Sequence, residues 1–146
     1  MMSIAATIRS PESATRGFAN RLVALLLRSP LHGLIGKRTM LVTVIGRKSG
    51  QSYTLPVNYA RLDDTILVVS RRNSRWWKNL RGGSRVVVHL DEADLPGFAT
   101  VVENDSEAIA GGYEIFRYQA YRQTMSADKA REKTRGRVLI RITLAR

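Results

Sequence analysis

Six short stretches of this chain carry strand-like hydrophobic patterning, and polar turns separate them. Thr39–Ile45 is a nearly unbroken apolar run, and Thr65–Ser70 is another. Ser52–Arg61 alternates more loosely and contains Pro56, which cannot donate to a sheet ladder and so belongs on an edge or at a bulge. Leu62-Asp63-Asp64 reads as a tight turn, and Asp91–Gly97 as a longer one. Val86–Leu90, Phe98–Glu103 and the closing run Arg137–Leu144 complete the set. Helical spacing appears at Phe18, Leu22, Leu25 and Leu26, with Arg16, Arg21 and Arg28 around them, until Pro30 stops the pattern. A second helix is expected to start at Asn104–Glu107, with Asp105 or Ser106 as cap, and to reach Met125 despite the weakening pair Gly111-Gly112. A short helix over Ser74–Gly83 would take Ser74 as cap and Gly82 as stop. Strands at this spacing, with no β-α-β alternation, predict a small antiparallel barrel with helices, in the mainly-β, α+β class. Residues 1–15 read as a flexible leader and 16–146 as a single domain.

The charge narrows the partners. Lys and Arg number 24 against 12 Asp and Glu, a net charge of +12, which favours anionic ligands or surfaces without choosing among them. The cations are spread along the chain and match no nucleic-acid module, so no nucleic acid is expected. No cysteine is present and histidine occurs only at 32 and 89, which argues against thiol chemistry and a metal site. The start lacks the apolar core of a secretory signal, and the longest strongly apolar run, Leu22–Leu27, is too short to span a bilayer. A cytoplasmic protein is expected. The basic helix at 17–29 either packs on its own domain or rests peripherally on the inner face of a membrane.

Two stretches carry candidate chemistry. Between the first two strands lies Gly46-Arg47-Lys48-Ser49-Gly50. Its glycines allow exposed backbone N–H groups, Arg47 can fork onto two phosphate oxygens, Lys48 adds a point charge and Ser49 a hydroxyl. The loop is either an anion site or a solvated basic turn. It is not a P-loop, because Gln51 rather than Lys follows the second glycine. The other stretch, Ser70–Gly83, sets Trp76 and Trp77 among cations. On a helix the two rings point about 100° apart, so one can bury while the other faces a groove. Large aromatics beside cations suit stacking on a planar ring. No Ser-His-Asp pattern and no motif-placed carboxylate pair is visible, so no protein catalytic residue is expected. Any chemistry would be borne by a cofactor that the protein orients.

Residues 40–90, from the apolar strand through "GRKSGQ", the proline-bearing strand, "VVSRR" and "WWKNL", resemble the deazaflavin-dependent nitroreductase and quinone reductase family. The resemblance implies a six-stranded antiparallel split β-barrel of the FMN-binding kind, preceded here by the N-terminal amphipathic helix. It also implies transfer of a hydride from reduced coenzyme F420 to a quinone or nitroaromatic. In that reading Arg47, Lys48, Ser49 and Gly50 hold the cofactor's phosphate and acidic tail, with Gln51 at the loop's end. Thr54, Leu55 and Pro56 run along the ring, and Arg71 adds charge near the tail. Trp76, Trp77 and Asn79 lie against the ring and its side chain. Ser70, Tyr118 and Tyr121 face the substrate. Two departures stand out. Family members commonly carry Pro-Arg where this chain has Ser52-Tyr53, and Tyr113, Tyr118 and Tyr121 are spaced differently from the tyrosines of characterised nitroreductases. Related barrels bind FMN or carry lipids and small ligands without catalysis, so those readings stand as alternatives, and by analogy two barrels are expected to pair as a homodimer.

Overall fold

A computed structural model of the chain describes residues 38–145. The amphipathic helix expected at 17–29, and with it any membrane contact, lies outside the described residues. Seven strands form one antiparallel sheet: β1 (Thr39–Ile45), β2 (Ser52–Asn58), β3 (Ala60–Leu62), β4 (Thr65–Arg71), β5 (Ser84–Leu90), β6 (Ala93–Val102) and β7 (Arg137–Leu144). Their order across the sheet is β2-β1-β5-β6-β7-β4-β3. The sheet curls into a half-barrel that brings β2 back against β4.

Alternation fills the barrel. Met40, Val42 and Val44 on β1, Ile66 and Val68 on β4, Val86 and Val88 on β5, and Val138, Ile140 and Ile142 on β7 share one buried cluster. Successive strand residues point to opposite faces, so every second residue of each run enters the same core. β1 and β5 read as continuous apolar runs because their other face is buried too: Leu41, Thr43, Val87 and His89 are all at most 5% exposed. There His89 Nε2 lies 2.7 Å from Thr43 Oγ1, Thr43 Oγ1 lies 2.7 Å from Thr54 Oγ1, and His89 Nδ1 lies 2.6 Å from Asp94 Oδ1. This Asp-His-Thr arrangement links four strands and was not legible in the sequence. Thr43 is 3% exposed, so its hydroxyl is withheld from any substrate.

Several boundaries differ from expectation. The run Ser52–Arg61 is two strands, broken where Tyr59 buries its ring and donates its N–H to the Arg38 carbonyl at 2.9 Å; this adds the seventh strand. The turn expected over Asp91–Gly97 is only Asp91-Glu92, both at positive φ, and β6 starts at Ala93. Its Pro96 and Gly97 lie within a paired strand. The short helix is a 3₁₀ turn, Trp76–Leu80, whose first residue follows Arg75 with no side-chain cap, so Ser74 does not cap it.

Two helices follow β6: α1 (Ser106–Tyr121) and α2 (Ala127–Lys133). The Asp105 side chain caps α1 by accepting from the Ala108 N–H at 3.0 Å. The helix ends at Tyr121 rather than Met125, because Arg122 turns into the left-handed region and its N–H closes back on the Tyr118 carbonyl. The short α2, capped by Ser126, was not anticipated. α1 crosses Gly111-Gly112 intact because it lies against the outer face of β4 and β7, where Ile109 packs with Leu67 and Leu139. A Cβ on Gly112 would come within 2.5 Å of Leu139 Cδ2. Gly112→Ala is therefore expected to cost about 1–3 kcal/mol through overpacking, against a propensity gain of about 1 kcal/mol. Gly111→Ala, which meets no atom within 4 Å, should be neutral or stabilising. Thermal melts of the two variants check the contrast, and equal melting temperatures would contradict it.

Candidate functional site

The loop after β1 is built by its own backbone. The Gly46 N–H donates to the Gln51 carbonyl at 2.9 Å, and the Gly50 N–H donates to the Gly46 carbonyl at 2.8 Å. Gly50 sits at φ +71, a conformation that side-chain-bearing residues seldom adopt. The Gln51 N–H donates to Ser49 Oγ at 3.2 Å, which leaves the Ser49 proton free to donate outward. Arg47, Lys48, Ser49, Gly50 and Gln51 are all exposed.

The 3₁₀ turn holds this loop from the side. Its five residues anchor through Trp77 and Leu80, both fully buried. The Trp77 indole N–H donates to the Arg71 carbonyl at 3.0 Å, and that of Trp76 to Ser70 Oγ at 3.1 Å. Asn79 then becomes the clamp. Its Oδ1 accepts from the Arg47 N–H at 2.9 Å, while its Nδ2 donates to the Trp76 carbonyl at 3.1 Å and to the Tyr53 hydroxyl at 2.6 Å. The Arg47 guanidinium reaches the Arg81 carbonyl. Arg81 forms a two-pronged pair with Glu103, at 2.9 and 3.0 Å, and its guanidinium lies 5.0 Å from the Trp77 ring centre. That pairing holds the Glu103 carboxyl below its usual range. Burial raises the Tyr53 phenol, and the Asn79 hydrogen bond only partly offsets it, so the phenol stays protonated at neutral pH.

Between loop and turn lies a groove of about 670 Å³. Arg47, Lys48, Arg75, Lys78 and Arg81 line it together with Gly46, Ser49, Tyr53 and Asn79, and no carboxylate does. The groove thus gathers five cations around exposed loop hydroxyl and backbone, a composition suited to phosphate and carboxylate oxygens. Among the described residues no cluster of side chains could hold a metal ion.

Of the residues singled out in the sequence, Arg47, Lys48, Ser49 and Asn79 line this groove. Gly50 and Gln51 shape the loop behind them. Thr54 is half-buried and engaged with Thr43, Leu55 packs on the barrel core, and Pro56 is exposed on β2, the end strand of the sheet. Arg71 is exposed at the end of β4. Trp77 cannot lie against a ligand ring, because its own core encloses it completely; Trp76 is half-buried. Ser70 is buried under the Trp76 indole. Tyr118 and Tyr121 do not reach the groove. Tyr118 lines a shallow depression of about 410 Å³ along α1, and the Tyr121 ring lies between the guanidiniums of Arg38 and Arg117 at 4.7 and 4.6 Å. Tyr53, Arg75, Lys78 and Arg81 were missed. The last three did carry a signal, since they surround the tryptophan pair in sequence.

The model of the family described as F420H(2)-dependent quinone reductase matches residues 29–143. The chain belongs to that family. Membership places it among oxidoreductases whose electron donor is F420H2, and the cationic groove suits so acidic a cofactor. No curated protein matches the sequence at a significant level. Solved structures agree on the barrel. An F420-H2 dependent reductase, FDR-A, superposes with a TM-score of 0.52 at 19% identity, over 75% of this chain and 95% of that one. The conserved protein Rv2991 from Mycobacterium tuberculosis gives 0.54 at 18% identity, over 100% and 87%. The FAD and heme binding protein from Mycobacterium smegmatis gives 0.52 at 11% identity over 75% of this chain; the match spans only 62% of that longer protein. At these identities the likeness is one of fold. No helix among the described residues of this F420H(2)-dependent quinone reductase family member is long and apolar enough to cross a membrane.

Proposed function

We propose that the chain transfers a hydride from reduced F420, held in the five-cation groove, to a small organic acceptor of the quinone or nitroaromatic kind. The observation that carries this reading is the groove itself: a phosphate-ready loop locked by Asn79 onto a cationic 3₁₀ turn. The cofactor supplies the hydride when bound. Arg47 and Lys48 hold its phosphate, with the Ser49 hydroxyl donating beside them. Arg75 and Lys78 face the acidic tail from the opposite wall. The protonated Tyr53 phenol borders the groove as a hydrogen-bond donor whose own acceptor capacity Asn79 occupies. Thr54-Leu55-Pro56 offers an end-strand surface for the flat ring, and Trp76 a half-buried aromatic beside it. No protein nucleophile is required, and the Thr43 hydroxyl of the Asp-His-Thr arrangement is buried. Pairing as a homodimer belongs to the same reading and is read out as molar mass in solution.

Tryptophan fluorescence tests the reading directly, because Trp76 and Trp77 are the only tryptophans. Saturable quenching by oxidised F420, with none by FMN, is the expected result. Quenching by FMN alone would retain the barrel and replace the cofactor. Response to neither would overturn the reading in favour of a ligand carrier.

A further inference from the structure

A second cavity, of about 420 Å³, lies behind the Arg81–Glu103 pair, and the readings above do not use it. Arg72, Arg131, Arg135 and Arg137 line it, with Glu103 as the sole lining carboxylate. That carboxylate is committed to Arg81, which lines the groove on the other side, so the ion pair forms a common wall. Arg131 is also accounted for, by Glu107 at 2.8 Å and Asp128 at 2.7 Å. Arg72 donates to the Glu103 backbone carbonyl, and its charge also acts on the Glu103 carboxylate that Arg81 already pairs. Arg135 and Arg137 have no acidic side-chain partner among the described residues. Three guanidiniums therefore line one cavity whose single carboxylate among the described residues is already paired with Arg81.

A solvated arginine surface needs no such convergence, since like charges repel and spread apart when nothing gathers them. Here the backbone enforces the gathering. Gly136, at φ +68, makes the tight turn between Arg135 and Arg137, and its carbonyl accepts from the Arg72 N–H at 2.8 Å. The start of α1 completes the wall with Ser106, so the positive end of a 16-residue helix adds to the same field.

We propose that this cavity is a second anion site, which takes a carboxylate- or phosphate-bearing group on Arg72, Arg135 and Arg137. Two sources fit that chemistry: the far end of an acidic tail whose head lies in the adjoining groove, or a separate small polyanion.

Inorganic pyrophosphate and a triglutamate peptide are the probes, followed by the side-chain Nε resonances of arginine in ¹⁵N-labelled full-length protein. Saturable shifts of Arg72, Arg135 and Arg137 are expected, with affinity falling as salt rises. Arg135→Ala/Arg137→Ala should weaken probe binding at this site at least tenfold, and Arg47→Ala/Lys48→Ala should leave it within about twofold. Should the first double variant melt early, Arg135→Glu alone, at an exposed position, carries the same expectation. Prior saturation with F420 separates the sources. Loss of probe binding assigns the site to the tail, and undiminished binding assigns it to a separate anion. Shifts confined to the groove residues, or an unaltered affinity in the Arg135 and Arg137 variants, would overturn the proposal whether or not F420 binds.

Discussion

Arg47→Ala/Lys48→Ala is expected to weaken F420 binding a hundredfold or more while moving the melting temperature by no more than a few degrees. The asymmetry follows from what each atom does. The backbone N–H of Arg47, not its side chain, is the group that Asn79 clamps, so alanine leaves the clamp in place. Lys48 has no partner among the described residues, and the Arg47 guanidinium makes one exposed bond to the Arg81 carbonyl. Exposed contacts of this kind contribute about 0–1 kcal/mol to stability. Charge-assisted bonds to a phosphate are worth about 1.5–3 kcal/mol each, and losing two corresponds to a hundredfold or more in affinity at about 1.4 kcal/mol per decade. A fluorescence titration paired with a thermal melt measures both halves. Unchanged affinity in a folded variant would remove the loop from the site. Lost affinity accompanied by unfolding would show that the loop is structural.

Trp77→Ala should do the reverse and collapse the fold. Its side chain is fully buried in the barrel cluster, it satisfies the Arg71 carbonyl, and its ring lies under the Arg81 guanidinium. Truncating a buried Trp costs about 3–5 kcal/mol, a large fraction of the total stability of a domain this size. A fall in melting temperature on the order of 10 °C or more is expected. Trp76→Ala removes a half-buried ring and its bond to Ser70, so it should cost clearly less stability yet reduce F420 quenching and affinity. Similar losses of stability in the two variants would contradict the division of labour between the adjacent tryptophans. Unaltered F420 affinity in a folded Trp76→Ala protein would remove that ring from the site.

That division shows where sequence reasoning ends. Adjacent positions on a tight turn point apart, so one burying and one lining could be anticipated; which of them buries could not. The side that meets the core depends on how β4 delivers the chain into the turn, and Trp77 bonding back to the Arg71 carbonyl is a tertiary outcome. The Asp94-His89-Thr43 arrangement has the same origin. Residues 43, 89 and 94 come together only through the registers of β1 with β5 and of β5 with β6. The family resemblance implies that Tyr118 and Tyr121 face the substrate. α1 packs on the outer face of β4 and β7, and that placement keeps both rings away from the groove.

What the sequence by itself determined is local and periodic. The apolar runs of β1, β4 and β7, a helix cap at Asp105 or Ser106, the Gly50 turn and the concentration of cations at 47–48 and 71–81 are properties of neighbouring residues, and period and turn chemistry expose them. The tertiary structure alone decided which cations share a cavity. Arg81 and Glu103 are 22 residues apart, and Arg72 and Arg137 are far apart in sequence but meet at the ends of the paired strands β4 and β7, so their pairing and convergence produce two anion-ready cavities with one ion pair between them. Coulomb interactions act through space and ignore chain order, so charge composition favoured an anionic partner while only the curled sheet decided which cations are gathered together.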